Sequence, residues 1–255
     1  MGLMSGTSLD GIDISLIKTD GEVVYERFEN FYFKYDKDIY KEIVKFESNI
    51  EVNLKKKNYK KFIDKIVTKI NYKAIKASNL LKWTDLVGFH GQTVLHSPEN
   101  KISIQLGDGF KLSKFLKKDV VFDFRSNDLK NNGQGAPLAP VYHRQLLNEI
   151  NSEIPASIIN IGGISNMSFW DGTDLFGYDT GPGNLLMDEY CRLALNLEYD
   201  NKGKIASKGI VNSYFLSKFL KDDFYKLLPP KSADKLYFRK HLYAIMASQL
   251  SSEDI

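Results

Sequence analysis

Apolar residues recur at three- and four-residue intervals from Asn58 to about Leu81, at Phe62, Ile63, Ile66, Val67, Ile70, Ala74, Ala77 and Leu81. That spacing follows the turn of an α-helix, so one long amphipathic helix is expected there, with a weaker one near Ile39 to Phe46. Elsewhere the apolar runs are short and punctuated by glycine. DLVGFHG (85–91), ISIQLGDG (102–109), DVVFDFRS (119–126) and LFGYDT (175–180) read as strands. PLAPVYHRQLLNEI reads as a helix, and GNLLMDEYCRLALN (183–196) as the helix leaving the last of these strands.

Two turns stand out from this pattern. MSGTSLDGID (4–13) packs two Gly, two Ser, one Thr and two Asp into ten positions, after which IDISLI leads through Asp20-Gly21 to EVVYERF, a hairpin. ASIINIGGISNMSFW is a second hairpin, turned by Gly162-Gly163. Each half thus opens on a hairpin whose turn is rich in Gly, Ser, Thr or Asn. The expected fold is α/β, two related domains with a cleft between them, residues 1–152 and 153–255.

Composition narrows the function classes. The chain of 255 residues is 43% hydrophobic and can bury two modest cores. Its net charge of +3 comes mostly from Lys spread along helical stretches such as KKKNYKKFIDK, which argues against nucleic acid or an anionic membrane as partner. Cys191 is the only cysteine, so no internal disulfide can form, which suits a reducing cytoplasm. The N-terminus lacks a signal-peptide pattern, and no apolar run approaches the roughly 20 residues of a spanning helix. A cytoplasmic protein is expected.

The chemistry lies in the turns. Gly6 and Gly11 let backbone N–H groups approach a ligand, and Ser5, Thr7 and Ser8 add hydroxyls, so phosphate is a natural guest. Asp10 and Asp13 are placed to hold Mg²⁺ beside it. A hairpin closed by Asx-type hydrogen bonds is the alternative reading. The turn from Asn160 to Asn166 follows the same logic, with a simple Gly-Gly hairpin as its alternative. GxxxxGK[ST] and GxGxxG are both absent.

In GYDTGPGN, Asp179 ends a strand just before a helix, where it can act as a general base; a helix-capping Asp is the alternative, with Thr180 and Asn184 as competitors. Asp123, Arg125 and Asp128 follow another strand, and there an Arg fork onto an oxygen-rich ligand competes with an internal Asp–Arg salt bridge. His90 and His96, six apart in HGQTVLH, do not make a zinc pair and read as hydrogen-bonding histidines. A Ser-His-Asp hydrolase lacks its GxSxG elbow.

Taken in order, GLMSGTSLDGID, GFHGQTVLHSP, IQLGDG, DFRSNDLKNNGQGAPLAP, NIGGISN, DTGPGNLLMDEY and PPKS resemble the anhydro-N-acetylmuramic acid kinases, of the actin-like, sugar-kinase group of ATPases. The resemblance implies an enzyme that uses ATP, Mg²⁺ and water to convert 1,6-anhydro-N-acetylmuramic acid into N-acetylmuramic acid 6-phosphate in peptidoglycan recycling. It assigns the ATP phosphates to Gly6, Thr7, Ser8, Leu9, Asp10, Gly11, Ile12 and Asp13, with Gly162, Gly163 and Asn166 as their counterpart in the second domain. Asp179 becomes the base that activates water, and His90, Thr93, Asp123, Arg125, Gly181 and Asn184 become the sugar contacts. Family members commonly form homodimers.

Four departures qualify the match. Asn132 stands where the family usually has the first Gly of GGQGAPL, and KSADKLYF replaces a pattern closer to KSTGREYF. Family members continue beyond the point matching Ile255 with a glycine-rich segment expected to hold adenosine. SSED (251–254) fits the [ST]-x-x-[DE] signature of a helix start, yet the chain stops one residue later. Only Met1 to Met4 precede the first turn, scarcely a central strand. The expectation is a trimmed chain with an incomplete second domain. It leaves an active kinase, an inactive remnant that binds sugar and phosphate weakly, and, joining them, a split enzyme restored by a separately encoded C-terminal fragment.

Overall fold

A computed structural model describes all residues except Thr7, Ser8, Asp10, 234–236, Gln249 and Ile255. The chain forms two compact units, Met1–Gly135 and Ala136–Ile255.

The first unit contains β1 (Gly2–Ser5), β2 (Gly11–Ser15), β3 (Ile17–Thr19), β4 (Val24–Arg27), β5 (Phe31–Lys34), α1 (Lys37–Glu47), α2 (Ile50–Lys55), α3 (Lys57–Ser78), β6 (Leu86–Ser97), β7 (Ile102–Leu106), α4 (Gly109–Leu116), β8 (Asp119–Phe122) and α5 (Ser126–Lys130). The sheet runs β5-β2-β1-β6-β7, with β8 also paired to β6. Four residues suffice for β1 in the interior of this sheet because β2 pairs with one edge and β6 with the other. Asp20-Gly21 does turn a hairpin, but it joins β3 to β4 in a separate two-stranded sheet, while β2 pairs with β1 and β5.

The long helix is α3, which buries Ile63, Val67, Ile70, Ala74 and Ile75 against the sheet residues Leu3, Ile12, Ile14, Val87 and Phe89. It stops at Ser78, short of Leu81, because Asn79 turns left-handed (φ 57°). The strand expected over 85–91 runs on to Ser97. Gly91 (φ 73°) bends β6 instead of ending it, and a side chain there would meet the Leu106 carbonyl of β7. The first part of β6 is parallel to β1 and β8, and the part after the bend is antiparallel to β7.

The second unit contains α6 (Pro140–Glu149), β9 (Ala156–Ile161), β10 (Ile164–Trp170), β11 (Leu175–Pro182), α7 (Leu185–Ala194), α8 (Ser213–Leu220), α9 (Asp223–Lys226) and α10 (Arg239–Met246). Its sheet is an antiparallel meander, β11-β10-β9. α6 packs on β10 and β11, with Pro140 seated against Gly177 where no side chain fits. The helix therefore lies within the second compact unit, whereas the sequence division at 152/153 counts it with the first. Residues 251–254 form a hydrogen-bonded turn, and Asp254 accepts from the Ile210 amide at 2.6 Å. Among the described residues no helix is long and apolar enough to cross a membrane.

Candidate active site

Between β1 and β2 the chain reverses on a turn in which the Gly6 carbonyl accepts from the Leu9 amide at 3.3 Å, with Leu9 left-handed (φ 58°). The same carbonyl accepts from Nε2 of Gln92 at 2.9 Å. Gln92 is wholly buried on β6, and its Oε1 accepts from the Tyr35 hydroxyl at 3.2 Å; that hydroxyl also lies 3.1 Å from Ser5 Oγ. A buried amide and phenol thus hold the turn from beneath. The side chains of Leu9 and Ile12 face inward into the core, so the backbone is what they offer a ligand. Gly11 is required by β5, since a Cβ there would collide with the Phe33 carbonyl and the Tyr32 ring. Asp13 is exposed on β2, paired with Met4 and Tyr32. Thr7, Ser8 and Asp10, the remaining phosphate and metal candidates of this turn, lie outside the described residues.

A second cluster sits at the bend of β6. Arg125 donates through Nε (3.1 Å) and Nη2 (2.9 Å) to Nε2 of His90, and through Nη1 to the Gly135 carbonyl (2.6 Å). The other ring nitrogen of His90 donates to the Gly91 carbonyl at 2.8 Å, which makes it the Nδ1–H tautomer. Burial and then the adjacent Arg125 push the imidazole down to about 4, so it is neutral. A pocket of about 270 Å³ opens here, lined by His90, Ser103, Gln105, Asp123 and Ser126 among others. Thr93 borders it through Gln105, whose Nε2 donates to Thr93 Oγ1 at 3.2 Å. Asp123 is left-handed (φ 60°) and accepts from Ser126 Oγ at 2.5 Å. Asp128 is structural: its carboxylate accepts from the Gly135 amide at 2.6 Å, and a side chain at Gly133 would have to displace that carboxylate. Asn132 is left-handed (φ 68°), a conformation Asn tolerates better than most residues, which explains how it stands in for the usual glycine.

In the second unit Asp179 lies on β11, 8% exposed, in register with Asn166 of β10, which is itself in register with Asn160 of β9. These three polar residues form a row across the sheet. The Asp179 amide donates to the Lys231 carbonyl (2.9 Å), and its Oδ2 accepts from the Ala233 amide (2.8 Å). Just beyond, Gly181 (φ 148°) packs against the Tyr225 ring. The two glycine turns then interlock. The Gly162 carbonyl accepts from the Asn184 amide (2.8 Å), and the Gly163 carbonyl accepts from the amides of Gly183 (2.9 Å) and Leu185 (3.2 Å). A Cβ at 183 would overlap the Gly162 carbonyl oxygen. The first turn of α7 is therefore capped by main chain, with no side-chain cap from Asn184, and capping is not the work of Asp179.

The family model described as anhydro-N-acetylmuramic acid kinase matches residues 1–255. The chain belongs to the anhydro-N-acetylmuramic acid kinase family. Relatives bearing that name come from Pelagibacter ubique (42% identical over 88% of this chain), Bradyrhizobium diazoefficiens (38% over 92%) and Hydrogenovibrio crunogenus (36% over 100%). The chain spans 62% of the first relative's length, 66% of the second's and 70% of the third's. The mixed sheet and flanking helices are consistent with the actin-like fold of these sugar kinases.

Against this family frame, the structure groups the sequence candidates into three local sites. Leu9, Gly11, Ile12 and Asp13 belong to the first turn, His90, Thr93, Asp123 and Arg125 to the β6 cluster, and Gly162, Gly163, Asn166, Asp179, Gly181 and Asn184 to the second unit. Three contributors escaped the sequence reading. Gln92 sits within HGQTVLH, and its place two residues after His90 on a strand was the available signal. Lys231 and Ala233 lie in and just after PPKS, a stretch that carried no chemistry by itself and gains it only beside Asp179.

Proposed function

We propose that this protein is an ATP-dependent kinase that opens 1,6-anhydro-N-acetylmuramic acid with water and delivers N-acetylmuramic acid 6-phosphate. The observation that carries the reading is Asp179, a buried carboxylate with Oδ2 held by the Ala233 amide, in a chain of this family. A carboxylate so fixed has a defined lone pair to take a proton from water as the water oxygen bonds to the anomeric carbon. The bond from that carbon to O6 breaks, O6 receives the γ-phosphoryl group, and ADP leaves.

The backbone of residues 6–11 is assigned to the ATP phosphates, with Gly162, Gly163 and Asn166 as the second set. Mg²⁺ fits the exposed Asp13 carboxylate, a hard oxygen donor of the kind that binds this ion together with phosphate oxygens, and Asp10 is the second candidate. When bound it neutralises charge on the transferred phosphoryl. The sugar is assigned to the β6 pocket residues and to Gly181 and Asn184. Both ring nitrogens of His90 are engaged, so its part is to orient Arg125. A homodimer and a cytoplasmic setting belong to the same reading. The match over residues 1–255 favours this reading over an inactive or split remnant.

The test is product identity. Incubated with ATP, Mg²⁺ and the anhydro sugar, the protein is expected to form a product heavier than its substrate by one phosphoryl group and one water. A product carrying phosphate without the water, or no ATP-dependent product, contradicts the proposal.

A further inference from the structure

The second unit holds another buried carboxylate. Asp222 precedes α9 with its side chain 3% exposed, and both oxygens are saturated with donors. Oδ1 accepts from the Phe224 amide (2.9 Å) and the Tyr237 hydroxyl (2.8 Å), and Oδ2 from Lys240 Nζ (2.6 Å) and His241 Nε2 (2.7 Å). Burial opposes its ionisation, but Lys240, the Phe224 amide, His241 and Tyr237 outweigh burial and hold the carboxyl well below the usual range. So fully bonded a charge ties α9 to the first turn of α10. The neighbouring Arg239 ties the same turn to Glu189 of α7 at 2.8 Å.

From α9 a chain of contacts leads to Asp179. The Phe224 carbonyl accepts from Lys231 Nζ at 3.1 Å, and the same ammonium stands 4.6 Å from the Phe224 ring centroid. The Lys231 carbonyl in turn accepts from the Asp179 amide, and the amide of Ala233, two residues on, donates to the Asp179 carboxylate. Tyr225 of α9 packs on Gly181, two residues past Asp179. α9 has only four residues and too little helix to place itself, so its position depends on the Asp222 cap and on the aromatic packing of Phe224 and Tyr225 with Phe219 and Phe238.

We propose that Asp222 is a positioning residue for Asp179, fixing α9 and, through Lys231, the segment whose amide at 233 aims the Asp179 carboxylate. This rests on the reading of Asp179 as the base. Asp222 touches neither reactant in that account. Its influence is geometric, and a displacement of about 1 Å at a reacting group can cost on the order of a hundredfold in rate.

The test pairs Asp222→Asn with Tyr237→Phe and reads two quantities. One is hydrogen exchange at the Ala233 amide, resolved by NMR; the other is the split between kcat and KM. Asp222→Asn removes the charge and puts an N–H₂ donor in the place of one of the two accepting oxygens. Exchange at Ala233 is expected to quicken and kcat to fall, each by roughly tenfold or more, with KM for ATP unchanged within about twofold. Tyr237→Phe, which removes one donor, is expected to shift both in the same direction by less. A lower melting temperature with Ala233 exchange and kcat both unchanged makes Asp222 merely structural and overturns the proposal. If Asp222→Asn does not fold, Tyr237→Phe decides by the same two readouts. If the unsubstituted protein shows no turnover, the reading of Asp179 fails separately, and exchange at Ala233 alone decides whether Asp222 orders that amide.

Discussion

Gly183 stands so close to Gly162 that a Cβ on Gly183 would overlap the Gly162 carbonyl oxygen, and three amides at the start of α7 donate to the carbonyls of Gly162 and Gly163. The hairpin turn and the strand-to-helix turn after Asp179 are therefore one structural piece. The end of β11, where Asp179 sits, is braced from this side by the glycine pair and from the other by residues 231–233.

Gly183→Ala should test that brace. The added methyl has no room without moving the Gly162 carbonyl, so destabilisation of about 1–3 kcal/mol is expected, together with reduced turnover. Urea unfolding measures the first. An alanine variant as stable as the original would show that the turns are not locked.

Gln92 should matter to the first turn although it is buried beneath it. Gln92→Leu keeps the volume but leaves the Gly6 carbonyl and the Tyr35 hydroxyl without that partner, a loss expected to cost about 1–3 kcal/mol. Because the turn is assigned to ATP, KM for ATP should rise more than KM for the sugar. Equal changes in both would separate Gln92 from the nucleotide.

His90 gives the first unit an acid sensitivity with a defined window. Its folded value is lowered from 6.5 to about 4 by burial and by Arg125, so between those values the unfolded chain binds a proton that the folded one does not. The stabilisation is fully present above pH 6.5 and is lost as pH falls toward 4, amounting to on the order of 3 kcal/mol. Unfolding free energies measured across this range for the original and for His90→Gln should converge as pH falls. Parallel curves would mean that His90 is not buried neutral.

How much of this was legible follows the range of each interaction. The buried stripe of α3 was readable from period alone, since every member lies on one helix. Its end was not, because Asn79 stops the helix through a backbone conformation that the apolar pattern does not encode. Gly91 looked like a terminator and is a bend, as only its φ and the nearness of Leu106 reveal. α4 was missed because it is short and begins at a glycine, although Asp108 caps it by accepting from the Lys111 amide at 2.9 Å. Asp179 itself was readable as a carboxylate at a strand end. Its partner Ala233 lies 54 positions away, and no local pattern connects the two.

The central claim is that Asp179 is the base, and its most direct test is Asp179→Asn assayed for ATP-dependent formation of the 6-phosphate alongside ATP binding and thermal melting. The account expects kcat to fall by roughly a hundredfold or more, the loss typical of removing a general base, while ATP binding and the folded state persist. A folded Asn variant that turns over within about tenfold of the original would contradict it.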